Sequence, residues 1–116
     1  MQNDLNNSYP NLAIELLGIN QADPVAGCSG TTYSNGNTTI TGLGDIPWLQ
    51  DVDNNSNCSS DVWYDSWLVT WRDVVILDGN NVEVGVYNLT QNPLGAPPNA
   101  NYDALKLLLI NAAQTP

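Results

Sequence analysis

"WLVTWRDVVILDGNNVEVGVYNL", residues 67–89, is the stretch whose reading decides the fold. β-Branched and aromatic side chains are dense from Trp67 to Leu77, which suits a pleated, half-buried strand better than a helix. Asp78 is followed by Gly79, Asn80 and Asn81, residue types that accept positive φ, and VEVGVYNL beyond them alternates apolar with polar side chains. Residues 67–89 therefore predict an antiparallel β-hairpin. Along such a strand Trp67, Val69 and Trp71 share one face and Arg72 lies on the other.

The flanks are read from there. TQNPLGAPPNAN (90–101) is too rich in Pro and Gly to hold a helix or a central strand, and it ends at Asn101, a good N-cap. A helix is predicted over 102–114, with Leu105, Leu108, Leu109 and Ala112 as its apolar stripe and Ala104, Leu107 and Ile110 widening it. Upstream, NLAIELLGIN (11–20) has the length of a buried strand, and Pro10 disfavours helix at Tyr9. Residues 21–45 predict a long polar loop with a brief strand near Thr38–Thr41; a loop of that length is usually functional or poorly ordered. DIPWLQDV (45–52) predicts a short helix capped by Asp45 with Pro47 in its first turn. An acidic loop (51–61) leads into the hairpin. The whole is one α/β domain over 1–116, with no internal repeat.

Charge narrows the function classes. The chain has two cations, Arg72 and Lys106, against twelve carboxylates, for a net charge of −10. Such a field repels polyanions, which excludes a nucleic-acid interface and docking on anionic lipid. No apolar run approaches the roughly 20 residues of a spanning helix, so membrane insertion is not expected. The opening residues lack a basic n-region, and the apolar run from Leu12 to Ile19 is broken by Glu15, so the chain as it stands shows no secretory signal. Seventeen asparagines and a single lysine nevertheless point to an extracytoplasmic setting, secreted or periplasmic. Glycosylation-type tripeptides at Asn6, Asn37, Asn54, Asn57 and Asn88 carry little weight in so asparagine-rich a chain.

Three groups of residues could carry chemistry. In DVDNNSNCSSD, Asp51, Asp53, Asn55 and Asn57 fall at alternate positions with Asp61 after them, and alternate oxygens of a curled loop can converge on calcium. Ser56 and Val62 stand where an EF-hand has Gly and Glu, and the plainer reading is a solvated loop using Asn and Asp for turns. Cys28 and Cys58 are the only cysteines: a structural disulfide and a pair of free thiols both remain open. Catalysis by either thiol is disfavoured, because neighbouring carboxylates raise a thiol pKa. The absence of histidine removes Ser-His-Asp and Cys-His sites and the commonest zinc ligand, leaving Asp61, Asp65 and Asp73 as acid–base candidates that more often serve as turn or cap residues. Trp48, Trp63, Trp67 and Trp71 fill the core or, stacked on the surface, form a binding platform. Arg72 is expected to pair with Asp73 or Asp65.

VTWRDVVILDGNNV, from Val69 to Val82, followed by NYDALKLLLINAA, resembles the strand–turn–strand and final helix of the thioredoxin-like superfamily, and LAIELLGIN would match its second strand. The resemblance implies a two- or three-layer sandwich on a mixed sheet, lacking the first strand and the N-terminal dithiol. No C-x-x-C is present, Cys28 and Cys58 stand thirty positions apart, and Arg72 occupies the place of the usual cis-proline. The implied function is a redox-inactive binding or structural module, or a fragment of a larger thiol-disulfide oxidoreductase-like protein, with no catalytic residue and with either no cofactor or calcium. The alternatives are a thiol-disulfide or peroxide-handling enzyme whose motif lies upstream, and an extracellular calcium-stabilised scaffold or adhesion module. A missing first strand would leave sheet edges open to a protein partner or to self-association.

Overall fold

A computed structural model of the chain describes residues 1–44 and 46–115. It is a small α/β protein: helix α1 (Gln2–Ser8), strand β1 (Gly18–Asn20), a 3₁₀ turn (Ser34–Gly36), helix α2 (Asn37–Thr41), strand β2 (Trp48–Gln50), a π-helical turn (Asp61–Ser66), strands β3 (Asp73–Leu77) and β4 (Glu83–Asn88), and helix α3 (Ala100–Gln114). β1 and β2 form one parallel pair and β3 and β4 one antiparallel pair; among the described residues no third strand joins either. The chain divides into two compact units, Met1–Glu15 together with Thr70–Pro116, and Leu16–Val69. No helix among the described residues is long and apolar enough to cross a membrane.

The first unit has the apolar core. β3 and β4 pair with Val75 opposite Val86 and Val74 opposite Tyr87, and the register shifts by a bulge where Leu77 meets Glu83. Asn81 takes φ +61° in the turn, as its type allows. The hairpin is shorter than predicted at its start. Leu68 and Arg72 adopt φ +51° and +65°, a left-handed backbone that breaks a strand, so pairing begins at Asp73 and the shared face expected of Trp67, Val69 and Trp71 does not form. Ile76 is 2% exposed, and Leu105, Leu109, Ile110 and Ala112 are buried on α3. Leu107, Leu108 and Ala104, read as part of that stripe, are exposed. The helix starts earlier than predicted because Asn99, not Asn101, is its N-cap: Asn99 Oδ1 accepts the Tyr102 N–H at 3.0 Å, while the Asn101 side-chain amide donates to the Pro93 carbonyl. α1 buries Leu5 (1% exposed) and is tied to α3 through Asp4, whose Oδ2 accepts from Lys106 Nζ at 2.8 Å and from the Tyr102 hydroxyl at 2.9 Å. Lys106 and Tyr102 together hold the Asp4 carboxyl down at about 2.

The second unit is a parallel strand–helix–strand. Gly18–Asn20 lies beside Trp48–Gln50 in register, and residues 21–47 form the crossover that parallel strands require, with α2 inside it. Three expectations change here. Only the last three residues of the strand predicted at 11–20 find a partner, although burial alternates along residues 11–18 as in a strand. Thr38–Thr41 is helical, not extended. The helix predicted over 45–52 is replaced by β2, because the Pro47 carbonyl accepts the Gly18 N–H at 2.8 Å and the pairing continues from there; the proposed cap Asp45 lies outside the described residues. The crossing is close. A Cβ on Gly18 would fall inside the Trp48 ring, so only glycine fits.

This unit is held largely by polar contacts. Among its described residues the buried ones are Ala22, Asp51 and Ser60. A network of amides spans the crossover: Asn20 Nδ2 donates to the Tyr33 carbonyl (2.7 Å) and to Asn37 Oδ1 (2.8 Å), Asn37 Nδ2 donates to Gln50 Oε1 (2.9 Å), and Trp48 Nε1 donates to Asn37 Oδ1 (2.8 Å). Satisfied amides of this kind fix one arrangement even where apolar burial is scarce.

Candidate functional site

The acidic loop leaves β2 at Asp51, and its carboxylates are consumed by backbone donors. Asp51, 5% exposed, accepts the N–H groups of Val52 (2.8 Å), Val62 (3.0 Å) and Trp63 (3.0 Å), the last two being free donors at the start of the π-helical turn. Asp53 accepts from the Asn57 N–H at 3.1 Å and the Cys58 N–H at 2.9 Å. Asn55 Oδ1 also takes the Asn57 N–H, and Asn57 Oδ1 takes the Ser59 N–H. Asp61 Oδ2 receives the Asn54 N–H at 3.3 Å, whereas its Oδ1 is buried without a hydrogen-bond partner. The five residues read as calcium ligands thus share one loop, and their side-chain oxygens accept N–H groups, Asp61 Oδ1 excepted. Among the described residues no group of three or more His, Cys, Asp or Glu side chains is placed to hold a metal ion.

Cys28 and Cys58 are joined in a disulfide, with their Cα atoms 5.5 Å apart. It ties the crossover to the acidic loop. At the bridge the backbone is left-handed at Gly27 (φ +89°) and Cys58 (φ +65°). Two residues beyond Cys58, the buried Ser60 hydroxyl accepts the Ala22 N–H at 2.8 Å, a second link between the same two segments.

Beside the disulfide lies a shallow cleft of about 70 Å³, walled by Asp23 and Asp53, by Tyr33 and Tyr64, and by Gln21 and Ser29. Asp23 is held by the Ser34 hydroxyl and by the N–H groups of Ser34 (2.7 Å) and Tyr33 (2.6 Å). Those bonds, the Ser34 hydroxyl first, keep its carboxyl below the ordinary aspartate range, so it is charged at neutral pH. The Tyr64 hydroxyl accepts from Gln21 Nε2 at 3.2 Å. No Lys, Arg or His occurs between residues 16 and 69, against six aspartates. The cleft is anionic without compensation, which suits a small cation and disfavours a thiolate.

The other two acid–base candidates are hydrogen-bonded within their own segments. Asp65 accepts from Asn57 Nδ2 at 2.9 Å, and that bond leads the group that lowers its pKa. Asp73 accepts from Asn88 Nδ2 (2.8 Å) and from the Thr70 N–H (2.7 Å). With both carboxylates engaged elsewhere, Arg72 makes no ion pair among the described residues, contrary to expectation; the pair found there is Lys106–Asp4. Of the tryptophans, Trp63 is half-buried and donates to the Ile19 carbonyl at 2.9 Å, but Trp67 is 40% and Trp71 61% exposed, so neither fills a core. Gln21, Asp23, Tyr33 and Tyr64 were missed from sequence. They come from separated segments, and the only signal was the two cysteines that join those segments.

Compared with known proteins, the chain matches no family model, no curated protein and no solved structure.

Proposed function

We propose that the chain is a redox-inactive binding module of an extracytoplasmic protein, in which Cys28–Cys58 is a structural staple and the acidic cleft beside it receives a cationic group. The observation that carries this reading is the setting of the disulfide: it borders a cleft walled by Asp23 and Asp53, in a segment with no cation to stabilise a thiolate. An oxidising compartment keeps such a bond closed. We infer further that the module is thioredoxin-like, a reading supported by β3, its turn, β4 and α3, which follow one another in the order that the resemblance implies. The test has two arms. In an insulin-reduction assay the chain should add nothing to the rate of free dithiothreitol, and titration with methylammonium should shift the Tyr33 and Tyr64 ring resonances in the wild type but not in D23N/D53N. Turnover that vanishes on Cys58→Ser would overturn the redox-inactive reading, and unmoved tyrosine resonances would overturn the cleft.

A second reading, calcium held by the acidic loop, is favoured by one atom, the unpartnered buried Oδ1 of Asp61. It requires a melting temperature that rises with calcium over chelator and loses that rise in Asp61→Asn; identical melting in both would remove it.

A further inference from the structure

The first unit carries an open, mostly apolar groove of about 170 Å³ between the hairpin and the C-terminal half of α3, lined by Ile76, Val84, Gly85, Leu108 and Ala112 together with the polar Asn111 and Thr115. Gly85 creates it by presenting no side chain. The volume is close to that of an engineered cavity of about 150 Å³ that admits benzene, so one leucine-sized side chain fits. Val84 and Leu108 on its walls are exposed.

The groove runs beside a free strand edge. The Leu89 N–H donates to the Arg72 carbonyl at 3.0 Å and the Asp78 N–H to the Val82 carbonyl at 2.9 Å, which fixes the alternation of the ladder. Val74–Tyr87 and Ile76–Gly85 are then the hydrogen-bonded pairs, and the N–H and C=O groups of Val86 and Asn88 point away from β3; the Asn88 carbonyl is taken by the Asn92 N–H (3.0 Å) and side-chain amide (3.1 Å), which leaves both groups of Val86 and the Asn88 N–H for an added strand. Among the described residues no strand lies along that edge. It has no lysine or proline to guard it, and the bulge near Glu83 interrupts only its turn end.

Charge selects the occupant. Asp78 and Glu83 lie at the turn end of the hairpin, and α3 has no basic residue in its last turn, so the negative end of the helix dipole is uncompensated. Lys106 is bound to Asp4, and Arg72 sits at the opposite end of the hairpin from Glu83. A second copy, itself at −10, is repelled.

We propose that the outer edge of β4 and the adjoining groove take an extended, cationic segment of a partner polypeptide by strand addition, with one aliphatic side chain seated between Gly85 and Leu108. Backbone pairing to both groups of Val86 and to the Asn88 N–H supplies the affinity, and the groove and the acidic field supply the selectivity. This surface uses none of the residues of the disulfide cleft and stands or falls without it.

The test uses the full chain and the acetylated, amidated peptide KVKLKVK, with EVELEVE and KVKPKVK as controls for charge and for the central N–H. The readout is amide exchange at Val86 and Asn88. KVKLKVK should slow both by about tenfold or more at saturation, with weaker protection at higher salt, and neither control should do so. Gly85→Val fills the groove and Leu108→Lys places a cation on its wall; each should weaken KVKLKVK binding about tenfold or more. A Cβ at Gly85 would lie 3.8 Å from Ile76 Cδ1, an ordinary contact, and Leu108 is exposed, so both variants should keep wild-type exchange in α3. The assignment is overturned if KVKLKVK leaves Val86 and Asn88 unprotected, if either control protects them equally, if both variants bind as the wild type does, or if the chain alone dimerises along this edge.

Discussion

Reducing the Cys28–Cys58 disulfide should unfold the Leu16–Val69 unit at a much lower temperature. The bridge closes a loop with a sequence separation of 30, and in the chain-entropy model such a cross-link destabilises the unfolded ensemble by about 3.7 kcal/mol. Ala22 is the only buried apolar side chain among the described residues of that unit, so little apolar burial stands in reserve. For a domain of this size each kcal/mol moves the midpoint by about 4–8 °C, which puts the expected drop at roughly 15–30 °C. Thermal unfolding followed by tryptophan fluorescence reads it directly, since Trp48, Trp63 and Trp67 all belong to the unit. The C28S/C58S variant without reductant should melt where the reduced wild type melts. A drop below about 5 °C in both would refute the reasoning, because the hydrogen-bonded crossover would then hold without its cross-link.

Three further changes probe other parts of the fold. Asp51→Ala leaves the N–H groups of Val52, Val62 and Trp63 without their acceptor and should cost about 3 kcal/mol in denaturant unfolding, with Asp51→Asn falling between it and the wild type. Gly18→Ala drives a methyl into the Trp48 ring and should destabilise by about 2 kcal/mol or more, read as a lower unfolding midpoint. Asp4 is held at about 2 against an ordinary 3.8, so its contribution is complete above about pH 4 and disappears as the pH falls through 2. Asp4→Asn should therefore melt below the wild type at pH 7, and the two curves should converge near pH 2.

Where side-chain pattern and local chemistry agree, the chain folds as its sequence reads. The Gly79–Asn81 turn and the alternation beyond it place β4, and the apolar spacing of 105, 109 and 112 places the buried face of α3. Misreadings occurred where a partner decides. Trp67 to Arg72 has strand composition, yet the left-handed turns at Leu68 and Arg72 end the extended chain, and no local signal marks two bulky residues for positive φ. Trp48–Gln50 is a strand because Gly18–Asn20 lies beside it, a contact across 30 positions that periodicity does not encode. In the acidic loop, Asp51 and Asp53 accept N–H groups that only the folded loop brings to them, partners that residue spacing does not encode.

By itself, the sequence determined the α/β class, the hairpin with its closing helix, the uncompensated negative charge and the pair of cysteines available for a bridge. These follow from residue types and short spacings, which act through the backbone within a few positions. Tertiary structure alone decided that Cys28 meets Cys58, that Asp23, Asp53, Tyr33 and Tyr64 share a cleft, and that Gly85 opens a groove against α3. Each of these depends on side chains from separated segments meeting at a few ångströms, and composition and periodicity do not determine those distances.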